Sequence, residues 1–425
     1  MSKILIISYT MYGSWFSLQL EEEGHSVDIW LCDNYDDYDM VLSGLIKRPL
    51  KAKPDFKKYD LVLFDLTGRP NIAENIMKEG VPVLGDGDFN SEIEENRMLG
   101  IEIMEQCGIG VPFYETFDDL SGAKSFIKKT NKRYVFKPDG GQEQDTASTY
   151  VSESADDLLH YLNRLGSLSK GTKFILQEVV QGTEVSTEAW FNGQDFYLIN
   201  GTLEEKKFMN GNKGPNTGCS GNLVWIYDEM NPPLVFREGL LKMKDFLQGV
   251  GFRGMIDLNT IVDGNGNLYG LEWTPRFGYD ASATLYSCVN NLGDFLGAIS
   301  TGQEPNTSFS NNFAASIRLS IPPYPSEIKN KHPEEVPIQG IQEDDIIKHC
   351  FLYDCCIDDR GDMVTAGVNG LVACPIRAAD TARNAWAKVQ EVIKGIKIPD
   401  MQFRTDLEEC TMKRYEILAK QGWLR

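Results

Sequence analysis

The stretch Leu271-Glu272-Trp273-Thr274-Pro275-Arg276-Phe277-Gly278 decides the fold, and an apolar run from Met255 to Val262 precedes it. Between the two lies the turn sequence Asp263-Gly264-Asn265-Gly266. Two apolar runs joined by Asp-Gly and Asn-Gly dipeptides predict a β-hairpin. The rest of the chain is interpreted around this hairpin.

The predicted hairpin brings two carboxylates together, because Asp257 lies in its first strand and Glu272 near the end of its second. Such hard oxygens suit Mg²⁺, which takes one or two carboxylates plus phosphate oxygens. Arg276 follows four residues after Glu272 and would place a planar cation beside a phosphoryl group or an oxyanion. The alternative is a plain hairpin with solvated acids and a surface salt bridge. The stretch alone supports both interpretations equally.

Length and charge restrict the function classes. A chain of 425 residues is too long for one core and predicts two to four domains. Its net charge of -20 and pI of about 4.7 argue against a nucleic-acid backbone or an anionic membrane as the main partner. A local basic pocket remains compatible with that balance.

Cysteine and histidine usage indicates the compartment and excludes some chemistry. Nine cysteines occur without CxxC pairs, which is typical of reduced thiols and predicts a cytoplasmic location. The apolar run at the N-terminus is too short for a signal peptide, and no run approaches a membrane span. With four scattered histidines, a zinc site, a histidine triad or a metal-only hydrolase is disfavoured.

Apolar runs alternate with helical patterns at the start of the chain, which predicts a βαβ arrangement and a small parallel sheet. The predicted strands are 3–9, 26–31, 60–65, 81–85, 133–137, 173–180 and 182–191. The predicted helices are 90–107, 118–129, 155–165, 378–394 and 405–420. Residues 204–221 are predicted to be a long loop, and such loops in compact domains are commonly functional.

A nucleotide site is indicated before the hairpin. Lys137 ends a predicted strand just before Gly140-Gly141, and a cation on a rigid strand under a glycine loop can hold phosphates. The backbone of residues 177–180 could pair with an adenine edge while Glu184 accepts ribose hydroxyls. The alternatives are a lysine that reaches solvent and an edge strand with a polar turn.

The order of these elements along the chain carries more information than any one of them. A strand-end lysine, a glycine loop, a strand with Glu184, then Asp257 and Glu272 with Arg276 resemble the ATP-grasp superfamily. Within it the chain resembles the phosphoribosylamine–glycine ligases, and this resemblance covers nearly the whole chain.

Further segments carry the same resemblance. Gly214-Pro215-Asn216-Thr217-Gly218, preceded by Lys206-Lys207, is similar to that family's lysine-arginine and GPNTGG loop. Near the C-terminus, residues 401–406 are similar to its arginine-aspartate signature, and residues 364–367 to its last β-rich domain.

The resemblance implies a set of site residues. ATP would be bound through its phosphates, adenine and ribose by Arg97, Lys137, Gln177, Glu178, Val179, Val180 and Glu184. The ligands implied for Mg²⁺ or Mn²⁺ are Glu272, Asp257 and Thr274, the last in place of the family's asparagine. Arg276 would neutralise the transferring phosphoryl group, and Lys206 and Lys207 would dock a carboxylate. The implied substrate loop is Gly214, Pro215, Asn216, Thr217 and Gly218.

The chain departs from the family mainly at the first domain. The glycine-rich turn that holds a sugar phosphate is replaced by residues 9–15, and aspartates stand at positions 65 and 86 near the next strand ends. Fewer backbone N–H groups and added carboxylates disfavour a phosphate dianion. The flap at 142–146 also lacks the family's second lysine.

The predicted fold class is α/β, with an N-terminal Rossmann-like domain at 1–88, an ATP-grasp core at 89–308 and a small C-terminal α/β domain at 309–425. The core comprises two α+β subdomains, of which one is an inserted lid at about 112–182. The chain is expected to be a monomer or a homodimer.

The resemblance implies an ATP-dependent carboxylate–amine ligase of purine biosynthesis that forms an amide through an acyl phosphate. Its implied partners are small molecules, a glycine-like carboxylate and an amine, with phosphoribosylamine as the family's amine. The alternatives are the same reaction with another amine, and a nucleotide-binding module without turnover.

Overall fold

The N-terminal part is a parallel sheet of four apolar strands in the order β2-β1-β3-β4. Its strands are β1 (Lys3–Ser8), β2 (Ser26–Leu31), β3 (Leu61–Phe64) and β4 (Val83–Leu84). Its helices are α1 (Trp15–Glu22), α2 (Tyr35–Tyr38) and α3 (Pro70–Lys78), with a 3₁₀ turn at Phe56–Lys58. The predicted βαβ arrangement is confirmed, and the strands' carboxyl ends meet at one edge of the sheet.

The computed structural model describes the chain apart from residue 34 and residues 140–148, 166–172, 278–279, 307, 327–331 and 342–348. The predicted flap at 142–146, the glycine loop at 140–141 and Gly278 therefore lie outside the described residues.

The helix predicted at 90–107 is two helices, α4 (Asp88–Glu95) and α5 (Arg97–Gln106). Asn96 separates them in an extended conformation, and its side chain accepts a hydrogen bond from the Leu99 N–H at 3.0 Å. This is an N-cap, so a new helix begins at Arg97. The break points Arg97 in a direction that one continuous helix would not allow.

A small antiparallel sheet follows, with strand order β5-β8-β6-β7. Its strands are β5 (Tyr114–Phe117), β6 (Tyr134–Asp139), β7 (Tyr150–Val151) and β8 (Lys173–Glu178). Two helices, α6 (Leu120–Thr130) and α7 (Ala155–Leu165), pack on it over an apolar cluster of their own. This unit occupies the place of the predicted lid.

The centre of the molecule is a nine-stranded sheet with the order β15-β14-β9-β10-β13-β18-β24-β19 and β21 beside β24. The strands after residue 181 are β9 (Gly182–Phe191), β10 (Phe196–Glu204), β11 (Lys207–Met209), β12 (Lys213–Asn216), β13 (Gly221–Ile226), β14 (Gly254–Asp263), β15 (Leu268–Thr274), β16 (Val289–Asn290), β17 (Ser308–Phe309), β18 (Phe313–Ile317), β19 (Leu319–Ser320), β20 (Glu334–Pro337), β21 (Cys350–Leu352), β22 (Cys356–Ile357), β23 (Met363–Ala366) and β24 (Leu371–Ala379). Most of the buried apolar residues pack on this sheet.

The helices after residue 181 cover the sheet. They are α8 (Leu234–Glu238), α9 (Lys244–Gly249), α10 (Asp280–Tyr286), α11 (Leu292–Thr301), α12 (Ala382–Gly395) and α13 (Leu407–Lys420), with a 3₁₀ turn at Leu240–Met243. The helix predicted from residue 378 begins four residues later, because the preceding segment continues β24. No described helix combines the length and the apolar character needed to cross a membrane.

The large sheet crosses the domain boundary predicted at 308. β13 pairs antiparallel with β18, with Leu223 opposite Ala315, so strands from both sides of residue 308 share one hydrogen-bonded sheet. The domain boundaries themselves stay predictions.

The long loop predicted at 204–221 is wrong in part, because β11 and β12 form an antiparallel hairpin within it. Lys207 lies opposite Asn216 in this pair. The strands have only three and four residues and are largely exposed, so they are too short to show the apolar alternation that would have predicted them.

Candidate functional site

A cavity of about 390 Å³ lies where the central sheet meets helices α4 and α5. Its charged lining residues are Glu94, Glu95, Arg97, Glu188, Glu204, Lys206, Asp257, Glu272 and Arg276. Residues from the N-terminal part, the central sheet and the hairpin therefore converge on one space. A concave site on which polar groups converge is the usual form of a small-molecule site.

The predicted hairpin is confirmed as β14 and β15, which pair antiparallel. Asp257 lies opposite Thr274, and Asn259 lies opposite Glu272. Side chains two residues apart on a strand share a face, so Asp257 and Glu272 both point to the cavity side. The turn is held by Asp263, whose side chain accepts hydrogen bonds from the Asn265 and Asn267 N–H groups at 2.8 Å each.

Glu272 is the centre of a charged cluster. The Lys206 ammonium lies 3.5 Å from its Oε1, and an Arg97 guanidinium nitrogen lies 3.9 Å from its Oε2. Burial alone would raise the pKa of Glu272, but Lys206, Lys137 and Arg97 outweigh it and lower the pKa to about 2. Glu272 is therefore ionised at neutral pH, and the structure brings four predicted site residues together.

Arg276 is held by a residue that the sequence did not single out. Two of its guanidinium nitrogens donate to Glu94 Oε1 at 2.8 and 3.0 Å, and Glu94 Oε2 accepts from Thr67 at 2.8 Å. Glu94 lies on α4 and is 182 residues away in sequence. This pair joins the N-terminal part of the molecule to the end of the hairpin.

Lys137 lies on β6 and is 7% exposed. Burial, followed by the repulsion of Arg97, lowers its pKa to about 8, while Glu272 and Glu184 act in the opposite direction. Arg97 also donates from Nε to the Pro138 carbonyl at 3.3 Å. Lys137 therefore lies within electrostatic range of three other predicted site residues: Arg97, Glu184 and Glu272. A phosphate site requires such a group of nearby charges.

The predicted adenine segment begins at the end of β8. Gln177 is buried opposite Val135, and Glu178 ends the strand with its N–H donated to the Phe113 carbonyl at 2.7 Å. Val179 and Val180 then connect β8 to β9, where Glu184 is exposed. The segment forms the passage from the lid sheet to the central sheet.

The predicted carboxylate and substrate residues divide between the cavity and its surroundings. Lys206, Asn216 and Gly218 line the cavity, whereas Gly214 and Pro215 are exposed on the β11–β12 hairpin and Lys207 lies outside the lining. The Lys206 carbonyl accepts a hydrogen bond from the Thr217 N–H at 2.8 Å.

The hairpin is fixed from the C-terminal part of the chain. Arg404, which is 1% exposed, donates to the Lys207 carbonyl at 3.0 Å and to Asn212 Oδ1 at 2.9 Å. Its other nitrogens donate to Asp406 at 2.8 and 2.9 Å. This explains why an arginine-aspartate segment near the C-terminus belongs to the site.

Sequence reasoning missed four acidic residues of the cavity: Glu94, Glu95, Glu188 and Glu204. Glu188 lies on β9 directly opposite Asp257. Burial, and then Glu204, raises the pKa of Glu188 to about 8, and burial followed by Glu188 raises that of Asp257. The alternation Glu184, Ser186, Glu188 along one strand is the signal that could have found Glu188.

Glu272 and Asp257 fit a Mg²⁺ site in which the protein supplies only a few of the oxygen ligands. Glu272 is ionised, and Asp257 Oδ1 is buried with no hydrogen-bond partner among the described groups. Within the described ranges, no group of three or more His, Cys, Asp or Glu side chains is close enough to hold a metal ion by itself. Mg²⁺ commonly binds to one or two carboxylates and completes its octahedron with phosphate and water.

Comparisons with known proteins agree with the geometry. Residues 97–278 match the family model "Phosphoribosylglycinamide synthetase, ATP-grasp (A) domain". A phosphoribosylamine–glycine ligase of Streptococcus pneumoniae is 25% identical over 361 residues, which are 80% of this chain and 81% of the relative. One of Neisseria meningitidis is 23% identical over 359 residues, 81% of this chain and 82% of the relative.

Solved structures show the same fold. The crystal structure of phosphoribosylamine–glycine ligase from Thermotoga maritima has a TM-score of 0.70 at 19% identity and covers 95% of this chain and 99% of its own. N5-carboxyaminoimidazole ribonucleotide synthetase from the same organism has a TM-score of 0.59 at 15% identity, covering 94% and 99%. Residues 97–278 therefore resemble an ATP-grasp domain, and the chain as a whole is similar to the phosphoribosylamine–glycine ligases.

Proposed function

We propose that the chain is an ATP-dependent carboxylate–amine ligase. The observation that carries the proposal is the position of Glu272, an ionised carboxylate within 4 Å of both Lys206 and Arg97 in a cavity that also holds Arg276. This set can bind the phosphates of a nucleotide and stabilise a phosphoryl group during transfer.

The proposed reaction has two displacements. A carboxylate oxygen of the first substrate attacks the γ-phosphorus of ATP, the bond to the ADP oxygen breaks, and an acyl phosphate forms. The amine nitrogen of the second substrate then attacks the acyl carbon, phosphate leaves with its oxygen, and the nitrogen loses a proton to give the amide. Dividing one uphill condensation in this way is what nucleotide cleavage contributes.

Each residue that the sequence predicted for nucleotide, metal or carboxylate binding has a proposed part. Arg97 and Lys137 bind phosphates, the segment 177–180 and Glu184 bind the nucleoside, and Lys206 with Lys207 orients the carboxylate. Arg276, fixed by Glu94, neutralises the transferring phosphoryl group. Glu272, Asp257 and Thr274 would hold Mg²⁺ or Mn²⁺, which when bound neutralises phosphate oxygens.

The substrate pair comes first from the relatives. Their name gives phosphoribosylamine and glycine, and these are the first pair to test for this chain. A second candidate, the same ligation with another amine, is supported by Asp65 and Asp86, which lie where a sugar phosphate would need N–H donors. A cytoplasmic location and a monomeric or homodimeric state stay predictions.

The test is phosphate release from Mg·ATP with glycine, with and without phosphoribosylamine generated in place. Release that needs both partners supports the relatives' reaction. Release only with another carboxylate–amine pair supports the second candidate. ATP binding without ADP formation under every condition contradicts the ligase proposal and indicates a nucleotide-binding module.

A further inference from the structure

The inner end of the cavity contains a buried carboxylate without a counter-ion. Glu188 is 4% exposed, and its Oε1 accepts no hydrogen bond from any group in the described part of the chain. Glu188 nevertheless lines the cavity, directly opposite Asp257 in the β9–β14 pair. Burying a carboxylate without hydrogen bonds or a cation destabilises the folded protein, unless a ligand supplies the missing partner.

The cations of the cavity are engaged by other acids. Lys206 and Arg97 approach Glu272 at 3.5 and 3.9 Å, and Arg276 binds Glu94 at 2.8 Å. No salt bridge among the described residues involves Glu188. No described residue therefore pairs a positive charge with Glu188, and we expect a bound molecule to supply one.

The geometry favours an ammonium group over a metal ion at this position. Mg²⁺ completes its octahedron with phosphate oxygens, and Arg97, a proposed phosphate-binding residue, lies 3.9 Å from Glu272, so the metal is expected beside Glu272. An ammonium group needs only acceptors for its three N–H bonds. Glu188 Oε1 is buried and has no hydrogen-bond partner among the described groups, and it supplies such an acceptor.

Two carboxylates of the first domain argue against a phosphate group on the substrate. Asp65, at the carboxyl end of β3, accepts hydrogen bonds from Ser8 Oγ at 2.5 Å and from the Gly13 N–H at 2.9 Å. A Cβ on Gly13 would lie 2.4 Å from the Asp65 Cβ, so the close approach requires glycine. The Asp65 carboxylate is thus the acceptor for the backbone N–H of Gly13 in the first βα turn.

Asp86 does the same at the next strand end. It accepts from the Arg69 N–H at 2.7 Å, the Gly87 N–H at 2.8 Å and Ser91 Oγ at 2.9 Å, just before helix α4. Backbone donors at such helix starts are the usual binding site of a phosphate group. Two fixed carboxylates at these positions would repel a phosphate dianion.

We propose that Glu188 binds the ammonium group of a substrate that carries no phosphate, an amino acid or another primary amine. This inference rests on the proposed ligase function and names the substrate class for its cavity. An amino-acid zwitterion would find both signs of charge there, since Lys206 and Arg276 line the same space.

The test is equilibrium binding by calorimetry in the presence of Mg²⁺ and a non-hydrolysable ATP analogue. The probes are two matched pairs, ethanolamine with phosphoethanolamine and L-serine with phosphoserine, together with glycine. We expect at least one unphosphorylated probe to bind at least about 10-fold more tightly than its phosphate ester. Tighter binding of the esters, or no binding of any unphosphorylated probe, would overturn the inference.

Two variants on one strand separate this site from the nucleotide site. Glu188→Gln should weaken binding of the bound amine by about 30-fold or more, because its ammonium loses a buried charged partner. The affinity for the ATP analogue should stay unchanged. Glu184→Gln, four positions away on the same strand, should show the opposite pattern.

The remaining outcomes are also decisive. If Glu188→Gln changes the Mg²⁺ dependence of analogue binding and not amine binding, the residue is a metal ligand and the inference is wrong. Phosphate release measured in parallel tests the ligase proposal separately, so amine binding without turnover would contradict the proposed function alone.

Discussion

Lys206 Nζ lies 3.5 Å from Glu272 Oε1, although the two residues are 66 positions apart. Burial lowers the pKa of Lys206, but Glu272 and Glu204 outweigh this effect and raise it. Among the neighbours of Glu272, Lys206 makes the largest contribution to lowering its pKa. The pair is therefore charged on both sides at neutral pH. It joins the entrance of the β11–β12 hairpin to the end of the β14–β15 hairpin.

Replacing Glu272 with Gln should lower Mg-dependent turnover by roughly 100-fold or more, since it removes the ionised carboxylate that we propose as a metal ligand. Phosphate release measured across Mg²⁺ concentrations is the check. Asp37→Asn, on helix α2, makes the same change of charge at an exposed position and is the control that should keep activity. Wild-type Mg²⁺ dependence in the Glu272 variant would remove the metal assignment.

Replacing Arg276 with Ala should lower kcat by about 100-fold and change ATP affinity much less, because its proposed charge acts on the transferring group. Glu94→Gln should give a smaller loss of the same kind, since it releases Arg276. Arg48→Ala breaks an exposed ion pair with Asp39 and serves as the control. A loss of ATP affinity with unchanged kcat would contradict the assigned role.

Replacing Arg404 with Met should destabilise the protein by about 3 kcal/mol, because a buried ion pair loses one partner. The β11–β12 hairpin should also become mobile, so kcat should fall although Arg404 lies outside the cavity lining. Urea unfolding and protease cleavage within residues 207–216 measure the two effects. An unchanged cleavage rate would mean that Arg404 does not hold the hairpin.

Replacing Asp65 with Asn should change the pH dependence of stability. Burial raises the pKa of Asp65 from 3.8 to about 6, against the lowering effect of its hydrogen bonds from Ser8 and Gly13. Between these values the folded state binds more protons than the unfolded state, so its contribution to the free energy of unfolding falls as pH rises.

The Asp65→Asn variant should therefore gain stability relative to the wild type as pH increases from about 4 to about 6.5. Urea titrations at several pH values in this window measure the difference, with Asp37→Asn on the exposed helix α2 as the control. A constant difference across the window would contradict the raised pKa.

Much of the fold could be predicted because its strands are local apolar runs. β1, β2 and the β14–β15 hairpin follow from alternation and turn residues that lie within a few positions of one another. The break at Asn96 was missed because helical periodicity continues through it. The β11–β12 hairpin was missed because its strands have only three and four residues.

Site residues could be predicted only where a charged side chain lies in a segment whose secondary structure can be recognised from nearby sequence. Glu272 and Arg276 follow a recognisable hairpin, but the role of Glu94 depends on a contact 182 residues away. Glu188 faces Asp257 only because β9 and β14 pair in one particular register. Non-local register is decided by the packing of the whole sheet, and a single sequence does not contain it explicitly.

The contact between Arg404 and the Lys207 carbonyl spans 197 positions. During synthesis the β11–β12 hairpin therefore leaves the ribosome long before the arginine that fixes it. The contacts that Arg404 makes with this hairpin can form only after nearly the whole chain has been made.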